Sequence, residues 1–524
     1  LTSAPTYIRA ALLAAVVAFL GLLVGALSSL VPVLIIFGVI GGIALFVLIY
    51  DNLFIGVWLF LVFNLVLPQA GPGLDLGIQV AIVGETRGLH FNVHEIVMII
   101  TLAAVLLKVI LMLLKKDWDE LAKLFRSPVT IGVVLYVLTS ILACFVGMIH
   151  DADGLVIVFR FVRTVFFAYI FFLVIYIVRT RKQFQILLVT MVVCFTLVAG
   201  FGLVQKAMGE TWSNEFAQKV LKKLGYPDDV NYVAGESDVQ AYRINSTFLH
   251  PNILGGYLVF ALPFLVSLLS LTWRRKRYWL WAMLLFVALP VNLVALFLTG
   301  SRAAWVAAGV IALIYGIFGF FDRRVWLVAV TLIMVFALII VMFNPPEFVE
   351  KRFSSLSAKE AAEARLYQYS YAIDYFMKNP IFGIGMGMEG QRIIENNIRQ
   401  TWAAVENLYL TYLVSHGLVG LTAFLLVFIL FWGVLLKARH RSRGDPFIYF
   451  NAEALILGVV GLAVANLFGA WLLFAIPMVT LFWFFIGMGA SLYNIYRDEA
   501  AEAREEPLPR LPILPRPRLN GVSE

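Results

Sequence analysis

Runs of about twenty apolar residues recur along the whole of this 524-residue chain. Each is long enough to cross roughly 30 Å of hydrocarbon as a helix, and in lipid a helix satisfies its own backbone polar groups. With 62% hydrophobic and only 14% charged residues, an ordinary soluble domain is excluded. The reading is about fourteen spans, near 9–29, 32–50, 53–68, 93–114, 129–148, 157–178, 184–206, 250–272, 278–299, 303–321, 325–343, 407–436, 450–470 and 471–495. It falls to twelve or thirteen if a terminal pair is re-entrant or broken. The expected fold is an all-α polytopic membrane protein with about 12–14 transmembrane helices. A long extracytoplasmic loop containing helices precedes the third-last span.

Basic connectors orient the chain, because short loops rich in Lys and Arg stay cytoplasmic. They hold Lys115, Lys116, Lys123 and Arg126; Arg179, Arg181 and Lys182; Arg274 to Arg277; Arg323 and Arg324; and Lys437, Arg439, Arg441 and Arg443. Each follows an even-numbered span, so both ends of the chain face the cytoplasm. The net charge of +8 is then a topology signal, with no case for nucleic acid. Cys144 and Cys194 fall inside spans, which excludes a disulfide framework. No cleavable signal peptide is recognised, since the first apolar stretch runs into a second.

This reading divides the chain into N-terminal transmembrane helices (1–206), an extracytoplasmic loop (207–249), central transmembrane helices (250–343), a long extracytoplasmic loop (344–406), C-terminal transmembrane helices (407–496) and a Pro-rich cytoplasmic tail (497–524). The long loop has its own helix. Ser357 and Glu360 form a capping box, Leu366, Tyr369, Ile373, Phe376 and Met377 recur at helical spacing, and Asn379-Pro380 ends it. The helix is expected to lie on the membrane or on the transmembrane bundle, with its stripe inward.

Charges outside the basic connectors carry the functional reading. Arg160, Arg163, Arg243, Arg302, Arg365 and Glu406 all fall near the extracytoplasmic face. Charge in or beside hydrocarbon is costly, so each is a functional-site hypothesis. Arg160 and Arg163 share one helix face, either snorkelling to the interface or binding an anion. In Arg243 to Gly256, Pro251 suits a first helical turn, so the helix starts near His250 with its N–H groups open to phosphate or a sugar hydroxyl. His250 is a cap or a proton carrier. Gly255 and Gly256 suit close helix packing. Gly300-Ser301-Arg302 makes a tight turn that fixes its arginine at the membrane surface, as an ordinary turn or a phosphate clamp. Pro380 to Gly387 is Gly-rich but follows a helix and not a strand, so backbone flexibility near a substrate is expected and a nucleotide motif is not. Glu406-Asn407 opens a span, with Glu406 a dipole-favoured cap or a general base. No convincing metal site is present: His94-Glu95 lacks the second His of a zincin motif.

Four segments together resemble the O-antigen ligase and polysaccharide polymerase superfamily: R-x-N-S-T-F-x-H-P-N-x-x-G-G from Arg243, L-T-G-S-R-A from Leu298, Arg365 followed by N-P-I-F-G-I-G-M-G, and E-N-L-Y-L from Glu406 followed by G-L-V-G-L. The match covers under half the chain. It implies a GT-C-like, metal-independent membrane glycosyltransferase without cofactors. The donor would be an undecaprenyl-pyrophosphate-linked glycan, and the acceptor a glycan or lipid outside the bacterial inner membrane. Membrane lipids are further partners, with a chain-length regulator a further candidate.

By this resemblance Arg243, Arg302 and Arg365, joined by Arg160 and Arg163, bind pyrophosphate. Asn252, Asn407 and Ser301 position acceptor or sugar. The family's ligases often carry His where this chain has Glu406, so ligase and polymerase both stay open. An activated glycosyl pyrophosphate needs its leaving group stabilised, which arginines can do, and its acceptor deprotonated. Glu406 is the first choice of base and His250 the second, for an inverting displacement. Trp212, Tyr226, Tyr232, Tyr367 and Trp402 are candidates to stack on sugars. A lipid-linked oligosaccharide flippase is the alternative, predicting midplane charges and repeated halves. A non-catalytic scaffold leaves the grouped arginines unexplained.

Overall fold

The computed structural model describes residues 33–68, 79–82, 85–88, 92–116, 122–150, 154–221, 243–273, 279–320, 356–387 and 405–505, with a few single positions between them. The helices are α1 (Val33–Asp51), α2 (Leu53–Val66), α3 (Val93–Leu114), α4 (Val129–Ile149), α5 (Gly154–Ile177), α6 (Arg181–Phe216), α7 (Pro251–Trp273), α8 (Trp279–Leu298), α9 (Arg302–Phe320), α10 (Leu356–Lys378), α11 (Leu408–Arg441), α12 (Pro446–Ala465), α13 (Trp471–Phe474) and α14 (Ile476–Glu505). A small antiparallel hairpin pairs β1 (Gln79–Ile82) with β2 (Glu85–Gly88). Among the described residues, eight helices are long and apolar enough to cross a membrane, and four more are shorter apolar helices. The protein is an all-α polytopic membrane protein. The expected spans 9–29 and 325–343 lie outside the described residues.

Three expectations need correction. Helix continues past 207, where the extracytoplasmic loop was expected to start, and α6 ends at Phe216. Gly209 breaks the helix with φ 85°, and Trp212 stacks on Phe216 at 5.3 Å just beyond the break. The last span is interrupted: the short α13 ends at Ala475 and α14 continues to Glu505, well past the expected tail boundary. Ion pairs hold that extension, since Asp498 meets Arg126 at 3.2 Å and Glu499 meets Arg181 at 2.5 Å. The third concerns α10. Leu366, Ile373 and Met377 are 68%, 48% and 68% exposed, so most of the apolar stripe points away from the bundle. The inward face carries Arg365, Gln368, Tyr369 and Ala372.

The core lies between α7, α12 and α14, whose apolar windows are the most buried of the eight. Small residues let these helices approach. A Cβ on Gly461 would lie 2.6 Å from Val259 and Ile311, and one on Gly489 2.3 Å from Phe431. Phe260 and Phe264 pack on Phe485 with centroids 4.5 and 5.0 Å apart.

The bundle has two chemically distinct ends. At one, Arg181 pairs with Asp445 and Glu499, and Arg439 pairs with Glu453 at 2.6 Å and bonds Tyr449. This basic end gathers several connectors that the charge rule placed in the cytoplasm. At the other end lie the starts of α7, α9 and α11 and the ends of α8 and α12.

Candidate active site

The first group forms where α7 begins. Arg243 is 7% exposed. Its Nε donates to Thr299 O at 2.7 Å, and an Nη donates to Asn252 Oδ1 at 2.6 Å. Two separate sequence motifs are thereby joined by one guanidinium. The turn it holds is tight: Gly300 takes φ 60°, and Ser301 Oγ accepts the Ala304 N–H at 3.4 Å to start α9. Gly255 makes the approach possible, since a Cβ there would lie 2.9 Å from Ser301 and Ala304. Arg302 is the first residue of α9, partly exposed beside this turn.

His250 sits one residue before α7. Its carbonyl accepts from Ile253 and Leu254 N–H, and its Nδ1 accepts the Asn252 N–H at 3.1 Å. The ring is therefore a helix cap. A neutral imidazole that accepts at Nδ1 carries its proton at Nε2, so this His250 faces its surroundings as a donor.

The second group forms where α11 begins. Asn407 caps the helix, its Oδ1 accepting from Tyr409 and Leu410 N–H at 2.9 and 3.0 Å. Immediately before it, the Glu406 carboxylate is ion-paired with Arg365 of α10. Gln368 Oε1 accepts the Glu406 N–H at 3.1 Å, and Tyr369 Oη donates to Glu406 O at 3.0 Å and Leu467 O at 3.3 Å. Burial pushes the Tyr369 phenol up, against a smaller opposing pull from Arg365, so it stays a donor at neutral pH.

The connector between α12 and α14 links the two groups. Leu408 N–H donates to Asn466 O and Gly469 O, while Trp471 packs on Gly256, where a Cβ would lie 2.6 Å from its ring. Neither Trp471 nor Asn466 stood out in the sequence. Both read as ordinary span residues, and only the helix break at Ala475 explains their position.

The Gly-rich turn after α10 is packed, contrary to the flexibility expected of it. Gly383, Gly385 and Gly387 take φ of 71°, 93° and 94°. The turn enters a break in α11 at Gly417, φ 66°. Ile384 and Gly385 N–H donate to Val414 and Ser415 carbonyls, and Leu418 and Val419 N–H donate to Pro380 and Ile381 carbonyls. The break leaves α11 carbonyls and amides without helical partners, and the turn supplies them. Glycine is needed because a Cβ on Gly385 would lie 2.0 Å from Gly147 N.

Arg160 and Arg163, in the first half of α5, influence each other electrostatically but have different neighbours. Arg163 lies against the rings of Phe159 and Phe167 at 5.8 and 5.4 Å and is in electrostatic reach of Glu95. Arg160 is in reach of His416, which sits at the α11 break with its Nδ1 bonded to Ser415 Oγ at 2.7 Å. Among the aromatics named for sugar stacking, Tyr367 is 52% exposed on α10. Trp212 stacks within the protein, and Tyr226, Tyr232 and Trp402 lie outside the described residues. Among the described residues, no three His, Cys, Asp or Glu side chains cluster to hold a metal.

Residues 291–425 match the family model described as O-Antigen ligase. The likeness is to that family and covers 135 of the 524 residues. The matched segment holds Ser301, Arg302, Arg365, Glu406 and Asn407. Arg243 and Asn252 lie outside it and reach it through Thr299. No curated protein matches the chain.

Proposed function

We propose that this membrane protein transfers or polymerises glycan from an undecaprenyl-pyrophosphate-linked donor at the extracytoplasmic face of the bacterial inner membrane. One observation carries the reading. Within the segment that matches the ligase family, an arginine and a carboxylate meet at the mouth of α11, at the end of the bundle opposite the basic connectors.

The acceptor hydroxyl attacks the anomeric carbon, the bond from that carbon to the diphosphate oxygen breaks, and the electron pair leaves with the diphosphate. The hydroxyl proton passes to the Glu406 carboxylate. Attack opposite the leaving group gives inversion. Arg302 and Arg365 take up the charge on the diphosphate, a role guanidinium forks fill without a metal. Arg243 holds the 299–302 turn and so sets the position of Arg302. Arg160 and Arg163 extend the positive field inward along α5. Ser301, Asn252 and Asn407 shape the helix starts where acceptor or sugar is received. His250, a donor at Nε2, suits a hydrogen bond to a sugar or phosphate oxygen better than base catalysis.

The test is transfer by purified protein in nanodiscs from an undecaprenyl-pyrophosphate oligosaccharide with EDTA present. Wild type gives longer lipid-linked glycan as a polymerase, or glycan on an added acceptor as a ligase. Arg302→Ala and Glu406→Gln are expected to lower turnover by roughly 10²-fold or more. Full activity in both variants sinks the site assignment. Movement of donor between leaflets without transfer favours a flippase.

A further inference from the structure

One face of α10 grips residue 406 at three points. Arg365, Gln368 and Tyr369 fall at helical positions i, i+3 and i+4, which lie side by side. Their contacts differ in kind. Gln368 and Tyr369 are neutral and hold the backbone N–H and carbonyl of Glu406. Tyr369 also bonds Leu467 O, and Asn407 Nδ2 donates to the same carbonyl at 3.0 Å, so this hold is tied into the α12–α13 connector. Among the described residues, Arg365 alone holds the carboxylate, and that pair is part-exposed, its side chains 27% and 23% accessible.

A carboxylate occupied by a guanidinium has fewer lone pairs for an acceptor hydroxyl. A diphosphate offers the guanidinium more charge and more acceptor oxygens than one carboxylate does, in a geometry suited to its fork. We infer that Gln368 and Tyr369 are positioning residues that fix Glu406 through its backbone, and that Arg365 is an exchangeable partner which a donor diphosphate draws off the carboxylate. The inference rests on the proposed transfer reaction and adds its order of events. Donor binding unmasks the base, and the backbone grip keeps that base in place once its ion pair has gone.

Two measurements on the purified full-length protein test it. The first is binding of glycan-free undecaprenyl pyrophosphate. Glu406→Gln removes the competitor for Arg365 and is expected to bind roughly two- to fivefold more tightly, the scale of a part-exposed ion pair. Arg365→Ala binds more weakly, and adding Glu406→Gln to it gives no further tightening. Equal tightening in both backgrounds means simple repulsion and overturns the exchange, as does no tightening in wild type. The second is turnover. Tyr369→Phe and Gln368→Leu are expected to lower kcat by about tenfold or more, with donor KM within about twofold, because the base is misplaced while the donor site stays intact. Unchanged kcat in both, with Glu406→Gln inactive, overturns the positioning role and leaves the transfer reaction standing. Full activity of Glu406→Gln overturns both.

Discussion

Arg243 shows how a residue can be found by sequence and still be given too narrow a role. Its position near membrane-end motifs marked it as an anion binder, and the structure uses two of its five donors to fasten Thr299 and Asn252. Sequence order cannot reveal a bond between residues 243 and 299, since nothing local reports which distant carbonyl needs a donor. The bond predicts a stability effect separate from catalysis. Arg243→Ala leaves buried acceptors without a charged donor, at a cost of about 1.5–3 kcal/mol. Thermal unfolding in detergent checks it: Arg243→Ala should melt clearly below wild type. Equal melting temperatures for wild type and Arg243→Ala remove the fastening role. His250 was legible as a helix start because Pro251 follows it. Its ring's capping bond to Asn252 decides which nitrogen carries the proton, and that depends on a rotamer that spacing does not specify.

The element α10 was legible in extent but not in orientation. Helical periodicity located it, and its end falls at Lys378, just before Asn379-Pro380. The apolar stripe was read as inward, with the helix on the membrane or on the bundle, because in water apolar residues turn away from solvent. Beside a membrane there are two apolar directions, the protein and the lipid. At 100° per residue, Leu366, Ile373 and Met377 share one side, Arg365, Gln368, Tyr369 and Ala372 a second, and Glu363, Ser370, Asp374 and Lys378 a third. These fit lipid, protein and water in turn. A nitroxide at 366 or 373 is therefore expected to collide more with oxygen than with a water-soluble nickel chelate in liposomes, and one at 374 to do the reverse. The same pattern at all three sites sinks the assignment. The turn that follows makes a second demand. Gly385→Ala would put a Cβ into Gly147 at a left-handed φ, costing about 1–2 kcal/mol for the backbone alone. Lower thermal stability is expected together with loss of transfer, since the turn braces α11 behind Glu406. A Gly385→Ala protein as stable as wild type means that the α4 contact gives way easily.

At the scale of the whole molecule, helix count and charge rule together predict which end faces which compartment, and the structure gathers the described motifs and the described basic connectors at opposite ends. Much of this was legible because hydropathy and the distribution of Lys and Arg act on whole segments and need no knowledge of packing. What was not legible is the pair of helix breaks, at Gly417 and Ala475, that turn two apparent spans into supports for the site; a glycine or alanine within an apolar run looks like any small packing residue until its dihedral angles are seen. The two-ended arrangement makes a compartment prediction that needs no substrate. Native Cys144 and Cys194 are both free and buried, so the background for thiol labelling is low. A cysteine in place of exposed Glu363 on α10 should react with a membrane-impermeant maleimide on cells with a permeabilised outer membrane. One in place of exposed Gly444, between α11 and α12, should react only after the inner membrane is opened. Reversed labelling places the Arg365–Glu406 pair in the cytoplasm, where a donor already carried to the outer leaflet is out of reach, and the proposed transfer reaction then fails on topology alone, whatever the chemistry of its residues.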